Sequence, residues 1–336
     1  MNIIDAQHNP EPCVATIGFF DGLHLGHQHL LRQVCSEARQ EGLRSLAITF
    51  TNHPRTVTSP DFVPQLLTLW PERKALLAQS GIDYLLPLTF DRTLASMTAR
   101  QFMEQIIATR CRARTLLIGY DHRFGHDRAE GFDDYLRYGN ELGLQVKPVS
   151  ALPPIDGVTV SSTVIRRALL RGDIEEAARF LGRPYELGGT VVSGLQQGRK
   201  IGFPTANVNP PAEKLIPCDG VYLAEARCEE APAPAGKAAA LLPESAATSA
   251  GKSLPFSGKR MAVVNIGNCP TVRKGESYRT VEAHLPGFSG NLYGTSLRLR
   301  FLRRMRNQEK FSSIEALRQQ LEHDCQQAQA IYAALG

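Results

Sequence analysis

The segment Gly18-Phe19-Phe20-Asp21-Gly22-Leu23-His24-Leu25-Gly26-His27 sets two imidazoles at i and i+3 among three glycines. It follows an apolar run of the kind that forms a strand and precedes a helical pattern. A helix N-terminus presents unpaired N–H groups and a partial positive charge, and glycines let a ligand approach the backbone closely. Two imidazoles placed there can donate hydrogen bonds to a triphosphate that gains charge during transfer. The segment therefore reads as a phosphate site, with Gly18, Phe20, Asp21, Gly22, His24, Gly26 and His27 as candidate contacts. His24 and His27 are its candidate catalytic pair. Ordinary polar residues of a strand-to-helix loop are the plain alternative.

Three more stretches fall where strands end or helices begin: Thr49-Phe50-Thr51-Asn52-His53-Pro54, Gly119-Tyr120-Asp121-His122-Arg123-Phe124-Gly125 and Ser161-Ser162-Thr163-Val164-Ile165-Arg166. All three sit on the carboxyl edge of the sheet that this half of the chain predicts, where open α/β sheets bind ligands. Asn52, His53, Asp121 and Phe124 become candidates for a nucleotide pocket. Ser161, Ser162, Thr163 and Arg166 become candidates for phosphate contacts. Ser161 and Ser162 serve equally well as a helix N-cap, and Arg166 can instead pair with a surface carboxylate.

A second cluster lies far along the chain. Gly198-Arg199-Lys200-Ile201-Gly202-Phe203-Pro204-Thr205-Ala206-Asn207 joins flexible glycines and two cations to Thr205 and Asn207, whose oxygens suit a hard metal ion. It reads as a kinase loop, and a plain surface turn is the alternative. Asn265-Ile266-Gly267 with Pro270-Thr271, then Glu282-Ala283-His284, then Leu292-Tyr293-Gly294 follow it. Taken alone, Glu282 reads as an exposed strand carboxylate.

The elements that must position these residues change in kind along the chain. Val14 to Phe19, Ser45 to Phe50, Ile82 to Leu88, Thr115 to Gly119 and Leu144 to Val149 read as strands separated by helical patterns. That alternation predicts a doubly wound parallel sheet. Thr98-Ala99-Arg100-Gln101 is a capping box opening a helix toward Ile107, and Gly81 and Gly143 stand where helices should stop. A further box, Asp173-Ile174-Glu175-Glu176, opens a helix ending near Leu181-Gly182, where the alternation ceases. The boundary is set there, giving domains 1–182 and 183–336. Beyond it, Leu187 to Ser193, Val221 to Arg227, Met261 to Ile266, Thr280 to Leu285 and Leu297 to Leu302 read as antiparallel strands of a small barrel. Ile314, Leu317, Leu321, Ala328 and Ile331 predict an amphipathic terminal helix. Residues 229–259, rich in Ala, Pro, Ser and Gly, predict a mobile insertion in the barrel. Its Ala246-to-Ser253 run resembles a P-loop but has neither the strand nor the helix such a loop needs.

At 336 residues the chain is long enough for two cores. Its 43% hydrophobic and 21% charged residues are those of a soluble protein, with no membrane-spanning run. The N-terminus lacks the features of a secretory signal, so a cytoplasmic location is expected. Seven scattered cysteines with no Cys-x-x-Cys pair predict reduced thiols rather than disulfides or structural zinc. A net charge of +5 suits anionic substrates such as ATP without selecting nucleic acid. The strip Arg298, Arg300, Arg303, Arg304 and Arg306 reads as the outer face of a half-buried strand, since few aromatics interleave with it.

Taken together, the four N-terminal stretches resemble the adenylyltransferase module of the bacterial bifunctional riboflavin kinase/FMN adenylyltransferases, over nearly all of residues 12–181. The resemblance implies that His24 and His27 bind the ATP phosphates, that Ser162 and Arg166 hold the triphosphate, and that Asn52, His53, Asp121 and Phe124 line the nucleotide and flavin pocket. Phe19 and Phe20 stand where the family often has Asn then Phe, and His122 replaces a usual Phe. The C-terminal run resembles the riboflavin kinase module. That resemblance implies Mg2+ and nucleotide contacts from Thr205 and Asn207, pocket roles for Gly198, Arg199, Gly202, Phe203, Pro204 and Asn265, and Glu282 as base for the riboflavin 5′-hydroxyl. The expected substrates are ATP, riboflavin and FMN, with Mg2+ required and with neither nucleic acid nor membrane as partner. A nucleotidyltransferase with another small acceptor, or a nucleic-acid binder keeping a nucleotide fold, remain the rivals, and oligomeric state is left open.

Overall fold

A computed structural model of the chain describes residues 1–5, 10–59, 61–119, 122–126, 129–194, 197–229, 254–270 and 277–335. Asp121, Thr271 and most of the expected insertion, with its P-loop-like run, lie outside the described residues. The chain divides into two compact units, Met1–Ser162 and Thr163–Gly336.

In the first unit the elements run β1 (Asn2–Ile3), β2 (Cys13–Ile17), α1 (Leu25–Gln40), β3 (Arg44–Phe50), α2 (Arg55–Thr58), α3 (Trp70–Ala78), β4 (Tyr84–Leu88), α4 (Arg92–Ser96), α5 (Ala99–Phe102), β5 (Ala113–Ile118), α6 (Phe132–Leu142) and β6 (Gln145–Pro148). A π-helical segment, Met103–Arg110, prolongs α5. Among the described residues the six strands form one parallel sheet in the order β1-β4-β3-β2-β5-β6. Every residue of β2 is buried, as a central strand covered on both faces requires. Helix α1 buries Leu31, Val34, Cys35 and Ala38, one helical face, against that sheet. Thr98 caps α5 in the expected box with Gln101, and Gly143 ends α6 in the left-handed conformation at φ 67°.

The strand order carries a functional consequence. From β2 the chain winds outward through β3 and β4, then returns to place β5 on the other side of β2. The sheet therefore reverses between β2 and β5, and the loop leaving β2, Gly18 to His24, opens at that reversal.

The second unit opens with α7 (Ser162–Arg171), whose first residue closes the first unit, and α8 (Ile174–Leu181). Asp173 caps α8 by accepting from the Glu176 N–H, and Gly182 ends it at φ 71°. There follow β7 (Glu186–Val192), α9 (Gln197–Lys200), β8 (Thr205–Asn209), β9 (Gly220–Glu229), β10 (Arg260–Pro270), β11 (Ser277–His284), β12 (Ser296–Arg306) and α10 (Ile314–Leu335). The strands close an antiparallel barrel in the order β10-β11-β8-β7-β12-β9. Two strands escape the sequence reading. One is β1, too short for periodicity to register; the other is β8, whose Thr-Ala-Asn-Val-Asn alternates but begins inside what reads as a loop.

Helix α10 packs Ala328, Cys325, Ile331 and Tyr332 against Val221, Leu223 and Val263 on the outside of the barrel. A two-pronged ion pair pins it: Arg306 donates from Nε and Nη2 to the two carboxylate oxygens of Asp324 at 2.9 and 2.7 Å. Asp324 is 0% exposed. Asp324→Ala strands the guanidinium against apolar surface, so chemical denaturation is expected to show a loss of about 3–5 kcal/mol. A loss under about 1 kcal/mol would rank the pair with exposed surface bridges instead. The rest of the arginine strip is matched in the same way. Arg298 pairs with Glu229 at 2.5 Å, Arg300 with Glu225 at 2.9 Å and Arg303 with Glu175 at 3.5 Å, while Arg304 donates to the Asp219 carbonyl at 2.8 Å.

Candidate active sites

The loop after β2 is held in a costly conformation. Phe20 and Leu23 adopt left-handed backbone at φ 54° and 39°, flanking Gly22 at 78°. For non-glycine residues this costs on the order of 1–3 kcal/mol each and persists only where surroundings enforce it. Asp21 does the enforcing. Its buried carboxylate accepts from the Leu67 N–H at 3.1 Å, the Thr68 N–H at 2.9 Å and the Thr68 hydroxyl at 3.1 Å. The Gly22 N–H donates back to the Thr68 hydroxyl at 2.9 Å, and the Ser162 hydroxyl donates to the Asp21 carbonyl at 2.9 Å.

That turn delivers His24 to the N-cap of α1 and His27 to its first turn. The two rings stack with centroids 3.6 Å apart and planes 20° apart. His24 Nδ1 accepts from the His27 backbone N–H at 3.3 Å, which leaves Nε2 as the ring's N–H donor. The edge of Phe20 meets the His27 ring at 5.3 Å. His27 Nδ1 is sealed from solvent with no hydrogen-bond partner. Burial first, then the His24 ring and the Arg73 charge, hold the His27 pKa well below the usual imidazole value. His27 is thus held uncharged and stacked on His24 at a helix N-terminus, where the two rings can donate hydrogen bonds to an anion. Gly26 is needed there, because a Cβ would lie 3.1 Å from His24 Cε1. At Gly18 a Cβ would lie 2.9 Å from the Phe20 ring.

At four of the candidate contacts the structure shows ties within the protein. Asp21 turns its carboxylate inward, away from any phosphate, and Phe20 is 1% exposed and braces His27. Asn52 spends both ends of its amide on Phe90, donating to the carbonyl at 2.9 Å and accepting from the N–H at 2.8 Å. Phe124 is buried and stacked on Tyr135 at 4.2 Å. The physical reason is common to the four: the loops need internal ties before they can present anything. His53 stays at the mouth, its ring 5.0 Å from Phe19 and 5.1 Å from Phe62. Ser161 and Ser162 end the first unit, whereas Thr163 and Arg166 belong to α7 in the second.

In the barrel a row of polar side chains forms by register. Asn207 on β8 stands opposite Glu282 on β11, and Glu282 stands opposite Asn265 on β10. The neighbouring positions Ala206, Val208, Val281, Ala283 and Ile266 are buried, so the polar row lies on the other face of these strands. The hydroxyls of Thr205 and Thr280 hydrogen-bond the Glu282 carboxylate and draw its pKa down, while burial raises it by more; the net shift is upward. His284 Nδ1 lies 2.9 Å from the Pro204 carbonyl, and its ring lies 5.3 Å from that of Phe203. Ahead of β8, the Phe203 N–H donates to the Gly198 carbonyl at 2.8 Å. A Cβ at Gly198 would sit 2.2 Å from the Phe203 carbonyl, and Gly202 takes φ 88°. Arg199 is exposed at the tip of this turn.

Sequence reasoning misses five residues that complete these sites. Thr68 and Thr280 carry no local signal. Gly194 packs so closely that a Cβ would come within 2.4 Å of the Asn207 amide, and Gln308 donates to Asn265 at 3.1 Å. Arg73 does leave a trace, since it shares a face of α3 with Leu77, a cation on an otherwise apolar stripe.

Comparison with known proteins agrees with this layout. Residues 6–164 match the family model described as FAD synthetase, and residues 181–332 match that described as riboflavin kinase. The bifunctional riboflavin kinase/FMN adenylyltransferase of Pseudomonas fluorescens is 33% identical over 337 residues, spanning 99% of this chain and 98% of its own. Its counterpart in Haemophilus influenzae is 31% identical over 336 residues, 99% of each chain. A solved structure described as a macrolide-efflux protein from Streptococcus pneumoniae matches with a TM-score of 0.79 and 28% identity, over 96% of this chain and 95% of that one. Among the described residues, no helix is long and apolar enough to cross a membrane.

Proposed function

The chain belongs to the bifunctional riboflavin kinase/FMN adenylyltransferase family, and from that premise we propose how its residues share the two reactions. The C-terminal part phosphorylates riboflavin to FMN with ATP, and the N-terminal part joins FMN to AMP from a second ATP, releasing pyrophosphate. The division of labour is set at residue 182, where the β/α alternation ends; the two family matches, over 6–164 and 181–332, leave the short stretch between them to neither part.

In the N-terminal reaction His24 and His27 hold the triphosphate over the α1 N-terminus, with Gly18, Gly22 and Gly26 admitting it to the backbone. Ser161 and Ser162 contribute further phosphate contacts, and His53 and Asp121 contribute to the pocket for the flat rings. The stacked imidazole pair carries this reading, because its N–H groups can donate to phosphate oxygens that gain negative charge as pyrophosphate leaves. In the C-terminal reaction Glu282 accepts the proton of the riboflavin 5′-hydroxyl as the γ-phosphoryl is transferred. Its raised pKa makes it a better base than an exposed glutamate.

The kinase row also suits Mg2+. Among the described residues no group of three or more His, Cys, Asp or Glu forms a cage for a metal. Mg2+ needs none, since it keeps water and substrate phosphates and takes one or two protein oxygens. Thr205 and Asn207 supply such oxygens, and the ion would neutralise charge on the transferring phosphoryl group. Nucleic acid is not a partner in this reading, because the arginine strip is already matched by Glu229, Glu225 and Glu175. The location is cytoplasmic, where ATP and riboflavin meet. Incubation with riboflavin, ATP and Mg2+, with flavins resolved by chromatography, tests the assignment; absence of both FMN and FAD would sink it.

A further inference from the structure

Among the described residues Arg73 is the largest wholly buried side chain, 0% exposed on α3. Its Nη2 donates to the Phe50 carbonyl at 2.6 Å and to the Thr51 carbonyl at 3.5 Å, at the carboxyl end of β3. Its guanidinium lies 4.2 Å over the Phe19 ring and 5.5 Å from that of Trp70. Nε and Nη1 are sealed from solvent and have no hydrogen-bond partner. Burying a cation with two unmade hydrogen bonds is expensive, and a methionine or leucine would fill the same space more favourably. The structural duties of this residue therefore do not account for its charge.

The placement does. Arg73 touches the loop after β2 through Phe19 and the loop after β3 through Phe50, the two loops that carry the histidine pair and His53. Asp21 is the opposite charge that faces it, and burial lowers its own pKa to about 10, so it stays cationic at neutral pH. His27 is faced by His24 on its own helix and by Arg73 from α3. We propose that Arg73 is a positioning residue of the nucleotidyl-transfer site, a buried positive charge that favours a polyanion in the loops it ties together. The proposal rests on the assignment of this site to adenylyl transfer given above.

The test uses the full chain with Arg73→Met and Arg73→Lys, measuring kcat, KM for ATP and the pH profile of FMN adenylylation. Riboflavin phosphorylation by the same protein serves as the folding control. Arg73→Met is expected to lower kcat by about tenfold or more and to move the acid limb of the profile to higher pH. The sign follows from removing a repulsive charge, which lets His27 bind its proton more readily. Arg73→Lys keeps the charge and is expected to hold the acid limb in place while kcat falls through the lost fork. A changed KM with kcat and acid limb both unaltered in Arg73→Met overturns the proposal. Should Arg73→Met not fold, a displaced acid limb in Arg73→Lys overturns it equally. A His27→Ala protein that still makes FAD at the normal rate would instead discard the site assignment itself.

Discussion

His27→Ala is expected to leave riboflavin phosphorylation intact while FAD formation from FMN falls by about 10²- to 10³-fold, the loss typical of one preorganised donor to a developing charge. FMN should accumulate in an assay started from riboflavin. The specificity of that outcome follows from the architecture. His27 belongs to the parallel-sheet unit, whereas Asn207, Glu282 and Asn265 lie on adjoining strands of the barrel. The loop itself should survive the substitution, because its conformation is held by Asp21, Thr68 and the Ser162 hydroxyl rather than by the imidazole. An unchanged FAD rate in this variant would remove His27 from the reaction.

Glu282→Gln should do the reverse. The amide keeps the shape of the carboxylate but cannot take the alcohol proton, so riboflavin phosphorylation is expected to drop by about 10²- to 10⁴-fold, with FAD formation from supplied FMN preserved. The wild-type kinase should also lose activity as pH falls through the raised pKa of Glu282, because only the ionised form is a base. The acid limb thus lies at higher pH than for an ordinary glutamate. Thr280→Val removes a hydrogen bond that favours the ionised form, so it should push that limb higher still. A pH profile identical in the wild type and Thr280→Val, together with a normal rate for Glu282→Gln, would transfer the role of base to another group.

The candidate sites were legible in unequal degree, and the difference has a cause. The histidine pair announced itself because both rings lie within one helical turn, where spacing in sequence is spacing in space. Asp21 stood in the same motif and looked like a ligand contact. Its partners Leu67 and Thr68 are 46 and 47 residues away, and no local pattern reveals such a tie. The ties of Asn52 and Phe124 are equally hidden in the sequence, since their partners, the Phe90 backbone and the Tyr135 ring, arrive from other elements. Glu282 alone is an ordinary strand residue. It gains its meaning from register, which brings Asn207 and Asn265 to its two sides from strands separated by a long stretch of chain.

By itself, then, the sequence determined the properties that repeat locally. Alternating β and α patterns specified a parallel sheet, alternation of two specified the barrel, and capping residues such as Thr98, Asp173 and Gly182 marked where helices begin and end. The motif at the end of β2 indicated nucleotidyl transfer, and the flavin entered through the resemblance to a known family. Only the tertiary structure decided which motif residues hold the loop, because that depends on pairings across tens of residues. It also decided that a lone arginine in an amphipathic helix ends up sealed beneath the Gly18–His27 loop. There its charge is a cost to the fold, consistent with a use in the site above it.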